Sequence, residues 1–163
     1  MIFTIDDPRA SLDRKGNNVD VTQIPFNRLL GILKCELPDE GLLMLRDSEC
    51  YTNHLNTVHA SAQFALGEAA SGEYLLERFK NIPEKEIIIP VVRNVEVKFK
   101  KPGKGAVRAS ANISDDVVSQ TITSIEKKGR ALIPVSVTIS DSSGNITMTA
   151  TYEWYVQKAQ SGE

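Results

Sequence analysis

Histidine and cysteine are both scarce in this chain, with two of each among 163 residues. Cys35 and Cys50 form no C-x-x-C pair, and each reads as a free, buried thiol in its own candidate strand. His54 and His59 are five positions apart, which does not put both on one helix face, and no H-E-x-x-H is present. A metal site built from them with Glu68 is therefore disfavoured. There is no G-x-S-x-G and no Walker-type loop, so serine-hydrolase and nucleotide-hydrolase readings have no support. Charge of one sign is lacking too. Lys and Arg number 19 against 21 Asp and Glu, a formal net charge of -2 that argues against nucleic acid or an anionic membrane as partner. The start of the chain has no basic segment followed by an apolar core, and no apolar run approaches membrane-spanning length. The expectation is a soluble, cytoplasmic protein.

What is present fits one domain spanning residues 1–163, with 41% hydrophobic and 25% charged residues. Residues 2–5 read as a small strand or docking tail, and 9–18 as polar loop. Residues 20–31 suggest a short helix, with Pro25 in its first turn and Gly31 as its stop. Segments 32–37 and 42–48 flank Pro38-Asp39-Glu40-Gly41 and read as a β-hairpin. A helix over about 59–79 is apolar around most of its circumference, as a buried helix must be. Gly67 and Gly72 weaken it, which a close packing partner would justify. Strands follow over 87–100 and 106–113, separated by the turn 101–105. Ser114-Asp115-Asp116 caps a second helix that Gly129 ends. A last hairpin, 131–140 and 146–156, turns at 141–145, with Tyr152, Trp154 and Tyr155 in its final strand packing on the sheet. Such an inventory predicts an α+β fold: about six antiparallel strands wrapped around one long helix. Residues 1–19 and 158–163 are peripheral to a core over about 25–157.

The chemistry concentrates in one stretch, from Asn53-His54-Leu55-Asn56-Thr57-Val58-His59 into the buried helix that carries Glu68. The helix mouth offers the N–H groups of Ala60 and Ser61 and the positive end of the helix dipole, suited to holding an oxyanion. Desolvation on an apolar helix raises the pKa of Glu68, which suits it to activate water or attack an acyl carbon. Nine residues from His59, however, place Glu68 about 13.5 Å along the axis and on roughly the opposite side. Any site that uses both must lie between two subunits.

Asn53 and His59 six positions apart, then two small residues and an acid nine after the His, resemble the hotdog-fold acyl-CoA thioesterases, nearest the phenylacetate-type branch and its uncharacterised relatives. The strand 95–99 leading into Pro102-x-x-Gly105, and the final hairpin through Asp141 and Gly144, add to the likeness. It covers roughly residues 25–157. Where that pattern usually has Gly-Gly, this chain has Ala60-Ser61, and Asn56 falls where Gly is common. The resemblance implies a hotdog fold, a homodimer or homotetramer, and hydrolysis of an acyl-CoA or acyl-carrier thioester without a metal or redox cofactor. Glu68, Asn53 and His59 are then catalytic, and Ala60, Ser61 and Thr57 hold the oxyanion or substrate. Lys101 and Lys104 meet the phosphates of CoA.

Plainer readings stand beside these. Glu68 could be a solvated acid at a helix edge. His59 organises the loop, Asn53 caps it, and the lysines between 98 and 104 form a solvated hairpin tip. A non-catalytic acyl-CoA or lipid-binding module is the main alternative, motivated by Asn56, Ala60 and Ser61. A hydratase is the weaker one, because the Pro-Gly-rich approach to the helix is missing.

Overall fold

The computed structural model describes residues 19–80 and 88–158. The expectations for 2–5, 9–18, the segment after Phe79 and the tail past Lys158 lie outside the described residues.

Helix α1 spans Pro25–Leu29, after a 3-10 turn at Val21–Gln23 that Asp20 caps through the Thr22 N–H. Pro25 opens it and Gly31, at φ +66, turns the chain away from it. Strands β1 (Leu33–Lys34) and β2 (Leu43–Leu45) form the expected hairpin, shortened by a 3-10 turn at Pro38–Glu40. Helix α2 runs Ala60–Arg78. Then come β3 (Ile88–Phe99), β4 (Val107–Asn112), α3 (Asp115–Lys128), β5 (Arg130–Asp141) and β6 (Ile146–Lys158). Ser114 caps α3 by accepting from the Val117 N–H, and Gly129 closes it in the left-handed conformation. The six strands make one antiparallel sheet in the order β1-β2-β4-β5-β6-β3.

Alternation fixes which face is inner. Along β5 Ala131, Ile133, Val135, Val137 and Ile139 are buried while the residues between them face outward. The inner face receives α2, whose Ala62, Leu66, Ala69 and Ala70 pack on Leu43, Leu45, Val107, Ala109, Ile139 and Met148. A second cluster joins the C-terminal part of α2, through Leu75, to Ile125 of α3 and to Ile133, Val135 and Val156. The two helix glycines have the packing partners that their weakness demanded. A Cβ on Gly67 would stand 2.5 Å from Tyr152 Oη, and one on Gly72 3.3 Å from Trp154 Cη2. Tyr152 Oη donates to the Phe64 carbonyl at 2.7 Å, and Trp154 Nε1 to Ser71 Oγ at 3.0 Å. The last strand is thus tied to α2 by hydrogen bonds as well as by area.

One expectation needs correction. Cys50 is exposed and sits in a 3-10 turn at Glu49–Tyr51, not in a strand. The strand stops at Leu45, and Ser48 starts the turn by accepting from the Cys50 N–H. Cys35 lies just past β1 and is half-buried. No described helix is long and apolar enough to cross a membrane.

Candidate active site

The loop ahead of α2 is organised by one side chain. Asn53 Oδ1 accepts from the N–H groups of Leu55 (2.9 Å) and Thr57 (3.2 Å), and its Nδ2 donates to Thr57 Oγ1 at 3.0 Å. Its own N–H donates to the Thr57 carbonyl. An Asx turn of this kind needs a left-handed residue near its tip, and Asn56 supplies it at φ +54. The loop is pinned to the body by Val58 N–H to Gly103 O and by His59 N–H to Tyr51 O. Asn53 and the buried Thr57 therefore shape the loop, with their polar atoms largely bound to each other.

His59 is the N-cap of α2. Its Nδ1 accepts from the Ser61 N–H at 3.1 Å, which places the ring proton of the neutral tautomer on the exposed Nε2. The same bond occupies the Ser61 N–H, while those of Ala62 and Gln63 are taken by the His59 carbonyl. Among the described residues the N–H of Ala60 meets no acceptor, and Ala60 is exposed. Of the two donors expected at the helix mouth, Ala60 is the open one.

Glu68 is exposed on the side of α2 turned away from the core and has no ion-pair partner among the described residues. Burial pushes its carboxyl above the usual range. Burial also pushes the Tyr152 hydroxyl up, with the Glu68 charge adding to it, so the acid stands close to β6. Its neighbour Gly67 packs on Tyr152 and Met148, which oppose Val95 and Phe99 of β3. Within one chain Glu68 does not meet the helix mouth, as the helix arithmetic requires.

Lys101 and Lys104 are both exposed. Lys104 lines a cavity of about 250 Å³ together with Leu45, Arg46, Ser48, Thr52 and Asn56. Lys101 does not line it. Arg46 and Ser48 were not singled out in the sequence, where nothing but a polar run after a short strand marks them. Gln63 was missed as well. It is 3% exposed, its Nε2 donates to the Val58 carbonyl at 3.2 Å, and its Oε1 has no partner. The available signal was a polar residue on the buried stripe of α2. Among the described residues no three His, Cys, Asp or Glu side chains gather as metal ligands would.

This sheet order, closed over a single long helix, is the hotdog fold of thioesterase-superfamily proteins. The chain belongs to the family described as a domain of unknown function, DUF4442, which matches residues 28–156. Among solved structures it is similar to a Pseudomonas aeruginosa protein named a probable thioesterase, at 20% identity over 85% of this chain and 91% of that one, TM-score 0.70. A Bacillus halodurans protein solved with CoA matches at 20% identity over 80% of this chain and 74% of that one, TM-score 0.60. A Staphylococcus aureus thioesterase, solved as a glutamine-to-alanine variant, matches at 15% identity over 81% and 98% of the two chains, TM-score 0.59. No curated protein matches the chain.

Proposed function

We propose that the protein hydrolyses an acyl-CoA or acyl-carrier thioester at a site that two copies build together. The observation that carries this reading is Glu68: an acid without an ion-pair partner among the described residues, on the largely buried middle of α2, open to solvent on one side and with its carboxyl raised by partial desolvation on the other. A carboxylate so placed holds protons more strongly and is the better general base. In the other copy, the open Ala60 N–H at the positive end of α2 polarises the thioester carbonyl. Glu68 takes a proton from water as the water oxygen bonds to the carbonyl carbon. The intermediate collapses with cleavage of the C–S bond, and the leaving thiolate takes the proton from Glu68. His59 holds the mouth of the helix in shape and directs its Nε2–H outward. Asn53 acts chiefly through the loop. Lys104, beside Arg46, faces the phosphates of the carrier. No metal or redox cofactor takes part, and CoA enters only as part of the substrate.

The fold's thioesterase neighbours support the reading, as does one neighbour's CoA. In the Staphylococcus aureus protein, alanine variants replace a glutamate and a glutamine fifteen positions apart, the separation of Glu68 from Asn53. Release of free thiol from a panel of acyl-CoAs, compared between the wild type and Glu68→Ala, tests the proposal. Turnover that falls with the substitution supports it, and equal rates sink it.

A second reading, a module that binds acyl-CoA without cleaving it, is favoured by the side chain of Asn53 being bound within its loop and by the occupied Ser61 N–H. Under that reading intact acyl-CoA binds tightly and no thiol appears over hours.

A further inference from the structure

We propose that Tyr152 and the Trp154–Ser71 pair are positioning residues for Glu68: they hold the two carbonyls at either end of its helical turn and so fix how far α2 is rotated about its axis. The inference rests on the reading of Glu68 as general base in the proposed function, and adds what keeps that base in place.

Glu68 enters the ladder of α2 twice. Its N–H faces the Phe64 carbonyl, and its own carbonyl faces the Gly72 N–H, four residues to either side. A side-chain hydroxyl adds a second donor at each of those carbonyls, and both hydroxyls are governed from β6. Tyr152 Oη donates to the Phe64 carbonyl at 2.7 Å. Ser71 Oγ donates to the Glu68 carbonyl at 2.7 Å, and Trp154 Nε1 donates to Ser71 Oγ at 3.0 Å. A serine that bonds back one turn is ordinary in a helix. Here the indole N–H occupies the Ser71 oxygen, which leaves the hydroxyl proton directed at the Glu68 carbonyl. Tyr152 and Ser71 have no exposed surface, so neither hydroxyl exchanges its partner for water without a cost.

The helix glycines set the spacing. Tyr152 crosses α2 at Gly67 and Trp154 crosses it at Gly72. Two residues of strand cover about 6.8 Å and five of helix about 7.5 Å, so the two rings meet the two glycines in step. Close packing of this kind fixes the depth of α2 on the sheet, whereas directional hydrogen bonds fix its rotation. The ion pair of Lys34 with Glu73, at 2.9 Å, also ties α2 to β1, but Lys34 is exposed and the pair adds little. Rotation is what matters to a carboxylate. A helical side chain reaches about 5.5 Å from the axis, so turning α2 by about 10° moves its end by about 1 Å. A displacement of that size costs about 100-fold in rate. Burial first, and the Glu68 charge second, raise the Tyr152 hydroxyl, which places the acid near this anchor.

Tyr152→Phe keeps the ring, 5.6 Å from that of Phe64, and removes only the hydroxyl. Ser71→Ala removes the link to the Glu68 carbonyl. Thiol release from acyl-CoA should fall about tenfold in kcat for each and about 100-fold for the double variant, with KM held within about threefold. Trp154→Phe should add little to that loss once Ser71 is alanine, because the two act through one hydroxyl. Placement is read without substrate, by NMR with labelled glutamate. The Glu68 carboxyl, identified by its absence from Glu68→Gln, should titrate at least about half a pH unit from its wild-type position in the double variant. Melting curves establish that each protein is folded, and where the double variant is not, the single ones carry the test. Unchanged kcat overturns the proposal, as do a loss carried by KM, a Trp154→Phe loss that survives Ser71→Ala, and an unmoved Glu68 titration. A wild type that releases no thiol at all refutes the proposed function instead, and the titration alone then decides the placement of Glu68.

Discussion

Gly67→Ala and Gly72→Ala form a matched pair in which the local helix term is the same and the tertiary term differs. Each replaces glycine by alanine inside α2, a gain of about 1 kcal/mol in helix propensity if nothing else changes. At Gly72 the new methyl meets Trp154 Cη2 at 3.3 Å and Cζ2 at 3.4 Å, and Trp154 is only half-buried and can shift by a few tenths of an ångström. At Gly67 it meets Tyr152 Oη at 2.5 Å, Met148 Cε at 3.0 Å and Tyr152 Cε2 at 3.2 Å. Tyr152 and Met148 have no exposed surface, and the hydroxyl is already held by the Phe64 carbonyl. Relief means displacing a rigid ring in a full core, at about 1–3 kcal/mol. It also separates a buried hydroxyl from its acceptor, at about 1–3 kcal/mol more. After the propensity gain, Gly67→Ala should lose about 1–5 kcal/mol, and Gly72→Ala should be unchanged or up to about 1 kcal/mol more stable.

Urea denaturation followed by circular dichroism measures both, with the slope checked for constancy. The cause is isolated by Tyr152→Phe, which removes the atom at 2.5 Å. Gly67→Ala in that background should cost much less than in the wild type, an interaction of at least about 1 kcal/mol in the double-mutant cycle. Additive losses would refute the contact as the cause, and so would a Gly67→Ala protein as stable as Gly72→Ala.

Three further outcomes are expected. Burial holds the Glu68 carboxyl above its ordinary range, so its contribution to stability is whole below the unfolded pKa and is lost as pH rises through the raised folded value. Glu68→Gln should therefore melt higher than wild type at about pH 8 and alike at about pH 3, while thioester turnover falls about 100-fold or more; a lower melting point at pH 8 contradicts this. Asn53→Ala removes the acceptor for two loop N–H groups and should cost about 1–2 kcal/mol, with faster hydrogen exchange over 53–58. Asn53→Asp keeps that acceptor and should retain stability and turnover to within about threefold; turnover lost with stability kept would mean that the amide itself acts on substrate. Asn56→Gly should be neutral or stabilising by up to about 1 kcal/mol, whereas Asn56→Val at φ +54 should lose about 1–2 kcal/mol in thermal melts.

Much of the fold was legible because its signals are local. Ser114 and Gly129 bracket α3 at the expected residues, since a cap and a left-handed stop depend on immediate neighbours. The strict alternation of β5 and the broad buried face of α2 likewise follow from spacing. Asn56 was legible for the same reason, a turn residue in a turn. Cys50 was not, because a strand as short as β2 has no periodicity to show where it ends, and the Ser48 cap outweighs the apolar run. The candidate site was legible as residue types but not as roles. The spacing named Asn53 and Ser61; only the folded loop shows that the amide of Asn53 is bound by Leu55 and Thr57, and the Ser61 N–H by His59.

The sequence by itself determined the helices, the strands, the glycines that demand close neighbours, and the separation of His59 from Glu68, since each is set by dihedral preference or by rise per residue. The tertiary structure decided which donor at the helix mouth stays open, and that Tyr152 seats on Gly67. It also decided that β3 ends the sheet. Those depend on long-range packing: which strand lies beside which is settled by burying one continuous apolar face, and no local pattern carries that information.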